Sequence, residues 1–174
     1  IESLDHAVNR GATVLGEITG FGCSSDAFHQ FQPEESGEGA ARAITLALVD
    51  AGISPEQVSY VNAHGTSTPL NDYVETMAIK LAFGEYASKI PISSTKSMIG
   101  HSLGAAGGLE GVVAVQSLLA QAIHPTINLD DSDPACDLDY VPNVGRKLRL
   151  QHVLSNSFGF GGQNACIIVS EFER

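Results

Sequence analysis

The chain has 174 residues, of which 43% are hydrophobic and 17% are charged, a composition typical of one globular domain long enough to bury a core. It carries 9 Lys and Arg residues against 20 Asp and Glu residues, and its formal net charge of -11 argues against a nucleic acid or an anionic membrane as the main partner. No apolar run approaches the roughly 18 residues that span a bilayer, so the sequence predicts no membrane partner.

The first part of the chain predicts a strand and a helix. It opens with "IESLDHAVNRGA", without a methionine and in a helical pattern, which we expect of a piece cut from something longer. Residues 12–23 are rich in β-branched and apolar types and predict a strand. In residues 36–52 the apolar side chains recur at helical spacing, and Gly52 closes this helix as a C-cap.

A short helical turn, a strand and a second helix follow. Ser54, Pro55 and Gln57 occupy the positions of an N-cap, an N1 proline and a capping-box partner. We expect the next strand at residues 58–63 and the next helix at residues 72–83.

The remaining elements alternate in the same way. "KIPISS", residues 89–94, predicts a short strand, and residues 104–122 predict a long helix so apolar that it must be buried on most sides. After an acidic, proline-bearing loop at residues 130–139, two strands are predicted at 151–157 and 164–171. The short glycine-rich link between them, "FGFGG", indicates an antiparallel hairpin.

Strands that alternate with helices predict an α/β fold with right-handed crossovers and a mostly parallel sheet, to which the final hairpin adds an antiparallel edge. In such sheets ligands bind beyond the carboxyl ends of the strands. His64 lies at one of those ends.

Three polar loops follow predicted strands and could carry chemistry. They are "AHGTST" (63–68), "STKSMIGHSLG" (94–104) and "NSFGFGG" (156–162). The first two bring His64 and His101, the second adds Lys96, and the glycines of the third let a backbone N–H approach a ligand. Two imidazoles, an ammonium and exposed N–H groups would suit the stabilisation of an oxyanion or an enolate.

Each feature also has a purely structural interpretation. A histidine at a strand end can be a hydrogen-bonded structural residue, residues 66–68 before Pro69 can form a turn and a helix cap, and Lys96 can lie on the surface. A metal site is disfavoured because His64 and His101 lack HxxxH spacing and have no carboxylate or thiol in obvious reach. The nucleotide-binding patterns GxxxxGK[ST] and GxGxxG are absent.

"GHSLG", residues 100–104, matches the GxSxG nucleophile elbow, with Ser102 as the nucleophile. Residues 130–139 and His152 follow in an acceptable order for the other triad members. An elbow needs a hydrophobic strand directly before it, however, and the preceding "SSTKSM" is polar. A serine hydrolase or acyltransferase therefore stays open as an alternative.

Taken together, the three loops resemble the C-terminal signatures of the β-ketoacyl-acyl-carrier-protein synthases. "VNAHGTSTPLND", "STKSMIGHSLGAAGGLE" and "NSFGFGGQNA" look like the signatures of the branch with one active-site cysteine and two histidines, and "GFGCSSDAFH" looks like its crossover strand. The resemblance implies a condensing enzyme of fatty-acid or polyketide synthesis. It also implies that residues 1–174 form the second half of a thiolase-like fold, with a five-stranded mixed sheet flanked by helices and a C-terminal hairpin.

The resemblance implies roles for four residues in decarboxylation. His64 and His101 would bind the malonyl thioester and stabilise the enolate that forms as carbon dioxide leaves. Lys96 would orient and polarise these groups, paired with Glu110. A carboxylate on so apolar a helix needs such a partner.

Further roles concern the acyl chain and its carrier. Thr66 and Thr68 would hydrogen-bond the pantetheine arm, which arrives on the carrier-protein substrate, so no separate cofactor is implied. Phe160 would be the mobile gate residue, and its N–H would form half of the oxyanion hole. Phe158 would stand beside it in the same loop.

The family's nucleophilic cysteine is missing. Cys23, Cys136 and Cys166 form no CxxC pair, predict no disulfide framework and lack the helix N-terminus that activates the family's cysteine. We therefore expect a chain that supplies the histidines and the lysine and is inactive alone. A non-catalytic subunit similar to a chain-length factor is a further alternative, although such a subunit has no evident need of His64, His101 and Lys96.

The resemblance also implies partners and a location. These are an acyl carrier protein, an N-terminal half that holds the cysteine, a homodimeric full-length enzyme, and the cytoplasm or, in a plant, the plastid. Carrier proteins of this family are acidic, and a chain at -11 would repel one. The docking patch would then lie on the absent half or on the cluster Arg146, Lys147 and Arg149, which can equally be a solvated strand edge.

Overall fold

The computed structural model describes residues 1–172 of the chain, which form seven strands, five α-helices and four 3-10 turns. The strands are β1 (Glu17–Ser25), β2 (Tyr60–Asn62), β3 (Ile92–Ser93), β4 (Ala122–Ile123), β5 (Arg146–Lys147), β6 (His152–Gly159) and β7 (Gln163–Ser170). The α-helices are α1 (Leu4–Asn9), α2 (Glu38–Ala51), α3 (Pro69–Phe83), α4 (Lys96–Ile99) and α5 (Ala106–Ala120). Single 3-10 turns lie at Pro55–Gln57, Gly84–Ser88, Leu103–Ala105 and Phe160–Gly162.

Five strands form one mixed sheet in the order β1-β7-β6-β2-β3. β2 pairs in parallel with both β3 and β6, whereas β7 runs antiparallel to both β6 and β1. The predicted α/β class and the β6–β7 hairpin are confirmed. The prediction that this hairpin forms the edge of the sheet is wrong, because β6 is central and β1 is the edge. The run of buried residues from Val153 to Asn156 suits that central position.

The first strand begins later than residues 12–23 predict. β1 starts at Glu17 and continues to Ser25, with a register shift between Ile18 and Gly20. The glycines in this strand serve close packing against α2. A Cβ atom at Gly22 would lie 2.0 Å from the carbonyl oxygen of Ala43, so a larger residue would force the helix away from the sheet.

The helical caps follow the sequence signals closely. Gly52 ends α2 in the left-handed region at φ 66°, and Ser54 and Gln57 form the predicted capping box. Helix α3 begins at Pro69 rather than at residue 72, because proline is accepted in the first helical turn.

Helix α5 is buried on one face only, so the expectation that it is buried on most sides is wrong. Its buried residues are Ala106, Glu110, Ala114, Ser117 and Leu118. On the opposite side Val112 is 59% exposed and Leu119 is 51% exposed. Contrary to the sequence-based expectation, the stretch Leu103–Ala120 is by length and composition apolar enough to cross a membrane, a property that core helices of water-soluble proteins share.

Two apolar clusters hold the layers together. Helices α2 and α3 pack on one face of the sheet, around residues such as Ile44, Ile79 and Leu154. Helix α5 packs on the other face, where Ala114 and Leu118 meet Val153. The polar loops at 63–68, 94–104 and 156–162 therefore begin at or near the carboxyl ends of β2, β3 and β6, between the two helical layers.

Candidate active site

The parallel pairing of β2 with β3 and β6 places three strand ends side by side. His64 follows β2, Lys96 begins α4 just after β3, and Phe158 lies near the end of β6. The convergence predicted from the sequence is therefore present. The short helix α4, which carries Lys96, was not predicted because its polar sequence was interpreted as a loop.

The two histidines are in ring contact. The imidazoles of His64 and His101 lie edge to face, with ring centroids 5.5 Å apart. The ring of Phe158 lies 5.8 Å from that of His64 on another side. His64 is buried, and its Nδ1 has no hydrogen-bond partner within residues 1–172. A buried ring nitrogen left without a partner beside an exposed histidine indicates a site that a polar ligand completes.

Both imidazoles are neutral near pH 7. Burial, followed by the positive charges of Lys96 and of a protonated His101, lowers the pKa of His64 to about 3. The pKa of His101 is also lowered, first by desolvation and then by Lys96. The backbone N–H of Leu103 donates to His101 Nδ1 at 3.2 Å, which places the proton of the neutral ring on Nε2. His101 can therefore act as a hydrogen-bond donor without carrying a charge.

Lys96 and Glu110 form the buried ion pair that the sequence resemblance implied. Lys96 Nζ bonds Glu110 Oε1, and the two side chains are only 4% and 1% exposed. Burial raises the pKa of the Glu110 carboxyl, although the Lys96 ammonium acts in the opposite direction. Glu110 Oε2 has no partner among the described residues. The pair explains the single carboxylate on the apolar helix α5.

Glu75 is a site residue that the sequence interpretation missed. Its carboxylate accepts the backbone N–H groups of His64 and Gly65, both at 2.8 Å, and the side-chain amide of Asn156 at 3.0 Å. Burial raises the pKa of this carboxyl, while the three hydrogen bonds act in the opposite direction. Glu75 thus ties the loop after β2 to strand β6, which contains Asn156. Its signal was a carboxylate on the apolar face of α3, beside the buried Val74 and Ala78.

Gly65 is required by the path of the same loop. Its φ is +41°, and a Cβ atom there would lie 2.6 Å from the Cβ of Ser94. The Ser94 hydroxyl donates to the Gly65 carbonyl at 2.7 Å, so the two loops touch through this glycine. A side chain at this position would separate the strand ends that carry the site.

The remaining predicted site residues lie at the outer part of the site. The hydroxyls of Thr66 and Thr68 are 2.9 Å apart; Thr66 is partly buried and Thr68 is exposed. Phe160 is 74% exposed and contacts Phe31 edge to face, with ring centroids 5.6 Å apart. Gly161 beside it has φ 79°, which a larger residue would strain. These groups are accessible to an incoming molecule.

The arrangement that a serine hydrolase needs is not formed. The Ser102 hydroxyl has no hydrogen-bond partner within the described part of the chain. His152 begins β6, at the end of the strand away from Phe158, and its Nδ1 bonds the Ser170 hydroxyl at 2.8 Å. Helix α4 separates Ser102 from β3, whereas a nucleophile elbow follows its strand directly.

The three cysteines lie in different environments and differ in exposure. Cys166 is buried in β7, and desolvation raises the pKa of its thiol. Desolvation also raises the pKa of Cys136, while Cys23 is exposed on the edge strand β1. All three are free thiols. Within residues 1–172, no group of three or more His, Cys, Asp or Glu side chains is placed to hold a metal ion.

A family model decides the assignment. Residues 15–130 match the family described as beta-ketoacyl synthase, C-terminal domain. The chain belongs to the β-ketoacyl synthase family. It is 51% identical over 170 residues to 3-oxoacyl-[acyl-carrier-protein] synthase 2 of Coxiella burnetii, and 51% identical over 173 residues to the protein of the same name of Synechocystis. The matches cover 98% and 99% of this chain but only 41% and 42% of those relatives.

Solved ketosynthases have the same fold. One is the ketosynthase of a type II polyketide synthase in complex with its acyl-carrier protein, with a TM-score of 0.95 and 43% identity over 99% of this chain and 42% of that one. A second is the ishigamide ketosynthase/chain length factor, with a TM-score of 0.94 and 40% identity over the same shares. The predicted thiolase-like half with a mixed five-stranded sheet flanked by helices is therefore confirmed.

The basic cluster is largely neutralised. Arg146 pairs with Asp139, and Arg149 pairs with Glu171. Arg146 and Lys147 form the short strand β5, which pairs with β4 at the surface. Two of the three positive charges are thus balanced within the chain, as in a solvated strand edge.

Proposed function

We propose that this chain is the C-terminal portion of a 3-oxoacyl-[acyl-carrier-protein] synthase and supplies the groups that decarboxylate a malonyl thioester. The observation that carries the proposal is the edge-to-face contact of His64 and His101, with Lys96 and Glu110 paired behind them. The proposal is supported by a family model over residues 15–130 and by relatives at 51% identity.

In the proposed reaction, the carbon–carbon bond to the malonyl carboxylate breaks and its electron pair forms an enolate. The thioester oxygen then gains negative charge and needs hydrogen-bond donors. Neutral His64 and His101 each provide one ring N–H, and the donor on His101 is Nε2 because Nδ1 accepts the Leu103 N–H. Burial is the first cause that lowers the pKa of both rings, and the ammonium of Lys96 lowers it further and adds a positive field.

The condensation step needs a group from outside this chain. The enolate carbon attacks an acyl thioester on a cysteine, and the thiolate leaves as the new carbon–carbon bond forms. Phe160 N–H would supply half of the oxyanion hole, with Phe158 beside it, and Thr66 and Thr68 would hold the pantetheine arm. Cys166 is buried, both it and Cys136 have raised pKa values, and Cys23 lies in the edge strand β1 and not at a helix N-terminus. We therefore assign the nucleophile to the N-terminal portion.

The exposed face of α5 supports that partner. Leu109, Val112 and Leu119 are each more than 40% exposed, and an apolar surface of this kind marks an interaction site. Because the chain spans only 41% of its Coxiella burnetii relative, the natural occupant is the remaining portion of the same enzyme. The domain assignment, the homodimer and the cytoplasmic or plastid location stay predictions.

We propose that an acyl carrier protein delivers both the acyl group and the malonyl group as thioesters, before the acyl group is transferred to the cysteine. One solved neighbour is a ketosynthase in complex with an acyl-carrier protein. Since Arg146 and Arg149 are paired with carboxylates, we place the basic docking patch on the N-terminal portion rather than on this cluster.

The test is carbon dioxide release from a malonyl thioester. The chain is assayed alone and then with the N-terminal portion of the Coxiella burnetii relative, in which the acyl-carrying cysteine is replaced by glutamine to mimic the acylated state. We expect release only from the mixture. Release by neither sample, with the two portions shown to associate, would favour a non-catalytic subunit similar to a chain-length factor.

A further inference from the structure

Behind Lys96 lies a cluster of polar side chains for which the proposed reaction gives no role. The members of this His124 cluster are Tyr60, Asn62, Ser93, Thr95 and His124. The first four are buried, with exposures of 0% to 3%, and His124 is partly buried. Buried polar groups need consistent donors and acceptors, so the direction of each hydrogen bond can be worked out.

The orientation of Asn62 fixes the first direction. Its Nδ2 lies 3.4 Å from the backbone carbonyl oxygen of Glu110, which can only accept, so the amide group points there. The Oδ1 atom then faces the Thr95 hydroxyl at 3.0 Å and accepts its proton. A threonine hydroxyl has one proton, and that of Thr95 is committed to Asn62.

The commitment of Thr95 determines the state of His124. Thr95 Oγ1 lies 3.0 Å from His124 Nε2, and with its proton already donated it can only accept from the ring. The Thr95 contact is therefore a hydrogen bond only when Nε2 carries a hydrogen. On the other side of the ring, Ser93 Oγ lies 3.3 Å from Nδ1, and Tyr60 Oη lies 2.7 Å from Ser93 Oγ.

The bonds form one directed chain when the imidazole is neutral. Tyr60 donates to Ser93, Ser93 to His124, His124 to Thr95, and Thr95 to Asn62, which donates to the Glu110 carbonyl. Tyr60 Oη, 3.1 Å from Nε2, is a second acceptor for that N–H. With the proton on Nε2, the Pro125 carbonyl, 3.0 Å from Nδ1, has a donor only if the ring is charged, and burial lowers the pKa of His124. A neutral ring with its proton on Nδ1 would instead donate to this carbonyl.

The series of hydrogen bonds reaches Lys96 through the backbone of Thr95. Thr95 is the N-cap of α4, and its carbonyl accepts the Met98 N–H at 3.0 Å. The segment after His124 holds the same loop from both sides. The Thr126 hydroxyl accepts the Ser94 N–H at 3.2 Å, and the Ile127 N–H donates to the Ser97 hydroxyl at 3.0 Å.

We infer that His124 is a positioning residue for Lys96. Its Nε2–H fixes the Thr95 hydroxyl, which sets where α4 begins and the direction in which the Lys96 side chain leaves the backbone. The backbone carbonyl of Glu110 accepts the last hydrogen bond of the same series. Both partners of the buried Lys96–Glu110 pair are therefore positioned by these hydrogen bonds. The role of Lys96 that this inference deepens rests on the proposed function, whereas the protonation of His124 does not.

The first test is spectroscopic and needs no activity. The full chain, labelled with ¹⁵N in its histidines, is examined near pH 7.5 by long-range ¹H–¹⁵N correlation, and the His124 ring is assigned by its loss in His124→Gln. We expect the neutral tautomer with the proton on Nε2. A neutral ring with the proton on Nδ1 would overturn the directed chain and the inference with it.

The second test uses carbon dioxide release by the mixture of both portions. His124→Phe removes the donor, whereas His124→Gln keeps an N–H₂ group. We expect about a tenfold lower kcat for His124→Phe with KM within about twofold, because a misplaced catalytic group lowers the rate of the chemical step, and recovery to within about threefold for His124→Gln. Thr19→Val, which removes a partly buried hydroxyl bond in the edge strand β1, is the matched control and should keep the parent rate.

The outcomes separate the two proposals. No release by the parent mixture contradicts the proposed function, and the tautomer of His124 alone then decides the inference. If the parent mixture releases carbon dioxide but His124→Phe and His124→Gln release it at the same rate as each other, the N–H donor makes no difference. That result overturns the inference and leaves the proposed function intact.

Discussion

Lys96 Nζ bonds Glu110 Oε1 where the two side chains are 4% and 1% exposed. Two opposite charges that are removed from water stabilise one another only while both remain, because each alone carries its full desolvation cost. The pair joins α4, which carries a site residue, to the apolar helix α5. Stability and the geometry of the site therefore depend on the same contact.

Glu110→Gln should destabilise the chain strongly. The substitution leaves the Lys96 ammonium buried without a charged partner, and breaking a buried pair costs about 3–5 kcal/mol. Urea unfolding of the full chain gives the change in the free energy of unfolding. Glu171→Gln breaks the exposed pair with Arg149 and should cost no more than about 1 kcal/mol. Equal effects of the two substitutions would contradict the burial argument.

The pH dependence of stability should include a term from His64. Its pKa is about 3 in the folded chain, below the value of about 6.5 for an unfolded histidine, so the unfolded chain binds one more proton between these values. This term is fully present above pH 6.5 and is lost as the pH falls toward 3, by about 1.4 kcal/mol per pH unit.

The His64 term is isolated by comparing the parent chain with His64→Asn. Glu75 has a raised pKa and acts in the opposite direction, but it is present in both chains. Urea unfolding at pH 6.5, 5.5 and 4.5 should give a steeper loss of stability for the parent chain on acidification. Parallel curves would show that His64 is not held neutral by burial.

Glu75→Gln should loosen the loop that carries His64. The carboxylate accepts two backbone N–H groups, and an amide would turn a donor toward one of them. Hydrogen exchange of the His64 and Gly65 amides should therefore accelerate by about tenfold or more, which corresponds to the loss of about 1.4 kcal/mol of protection. The exposed Glu85→Gln serves as the control, and unchanged protection in Glu75→Gln would refute this role.

Gly65→Ala should destabilise the chain by about 1–3 kcal/mol, because a positive φ and a Cβ contact at 2.6 Å both strain the folded state. The matched control is Gly108→Ala on α5, where a Cβ would meet nothing within 4 Å. Since alanine favours a helix over glycine, this control should stabilise the chain by up to about 1 kcal/mol. Thermal or urea unfolding distinguishes the two signs.

Local sequence signals predicted several elements well, and the site in part. Gly52, Ser54 and Gln57 predicted their caps because capping depends on neighbouring residues alone. His64, Lys96 and His101 could be grouped because parallel strands end at one edge of a sheet. Glu75 and His124 were missed because their partners are distant in sequence, such as Asn156 for Glu75 and Tyr60 for His124.

Other features depended on the order of the strands or on a surface beyond this chain. Two antiparallel strands can lie at an edge or in the centre of a sheet, and only the pairing of β6 with β2 decides this. The apolar composition of α5 predicted burial, yet Val112 is exposed. An apolar pattern indicates that a surface becomes buried but does not say by which chain.

The most direct test of the central claim is the rate of carbon dioxide release from a malonyl thioester by the mixture of this chain with the N-terminal portion. We predict that His64→Ala and His101→Ala each lower the rate by about a hundredfold or more, since each removes a donor to the developing enolate. His6→Ala on the exposed helix α1 should leave it unchanged. Release that persists at the parent rate in both site variants would contradict the assignment of these histidines to decarboxylation.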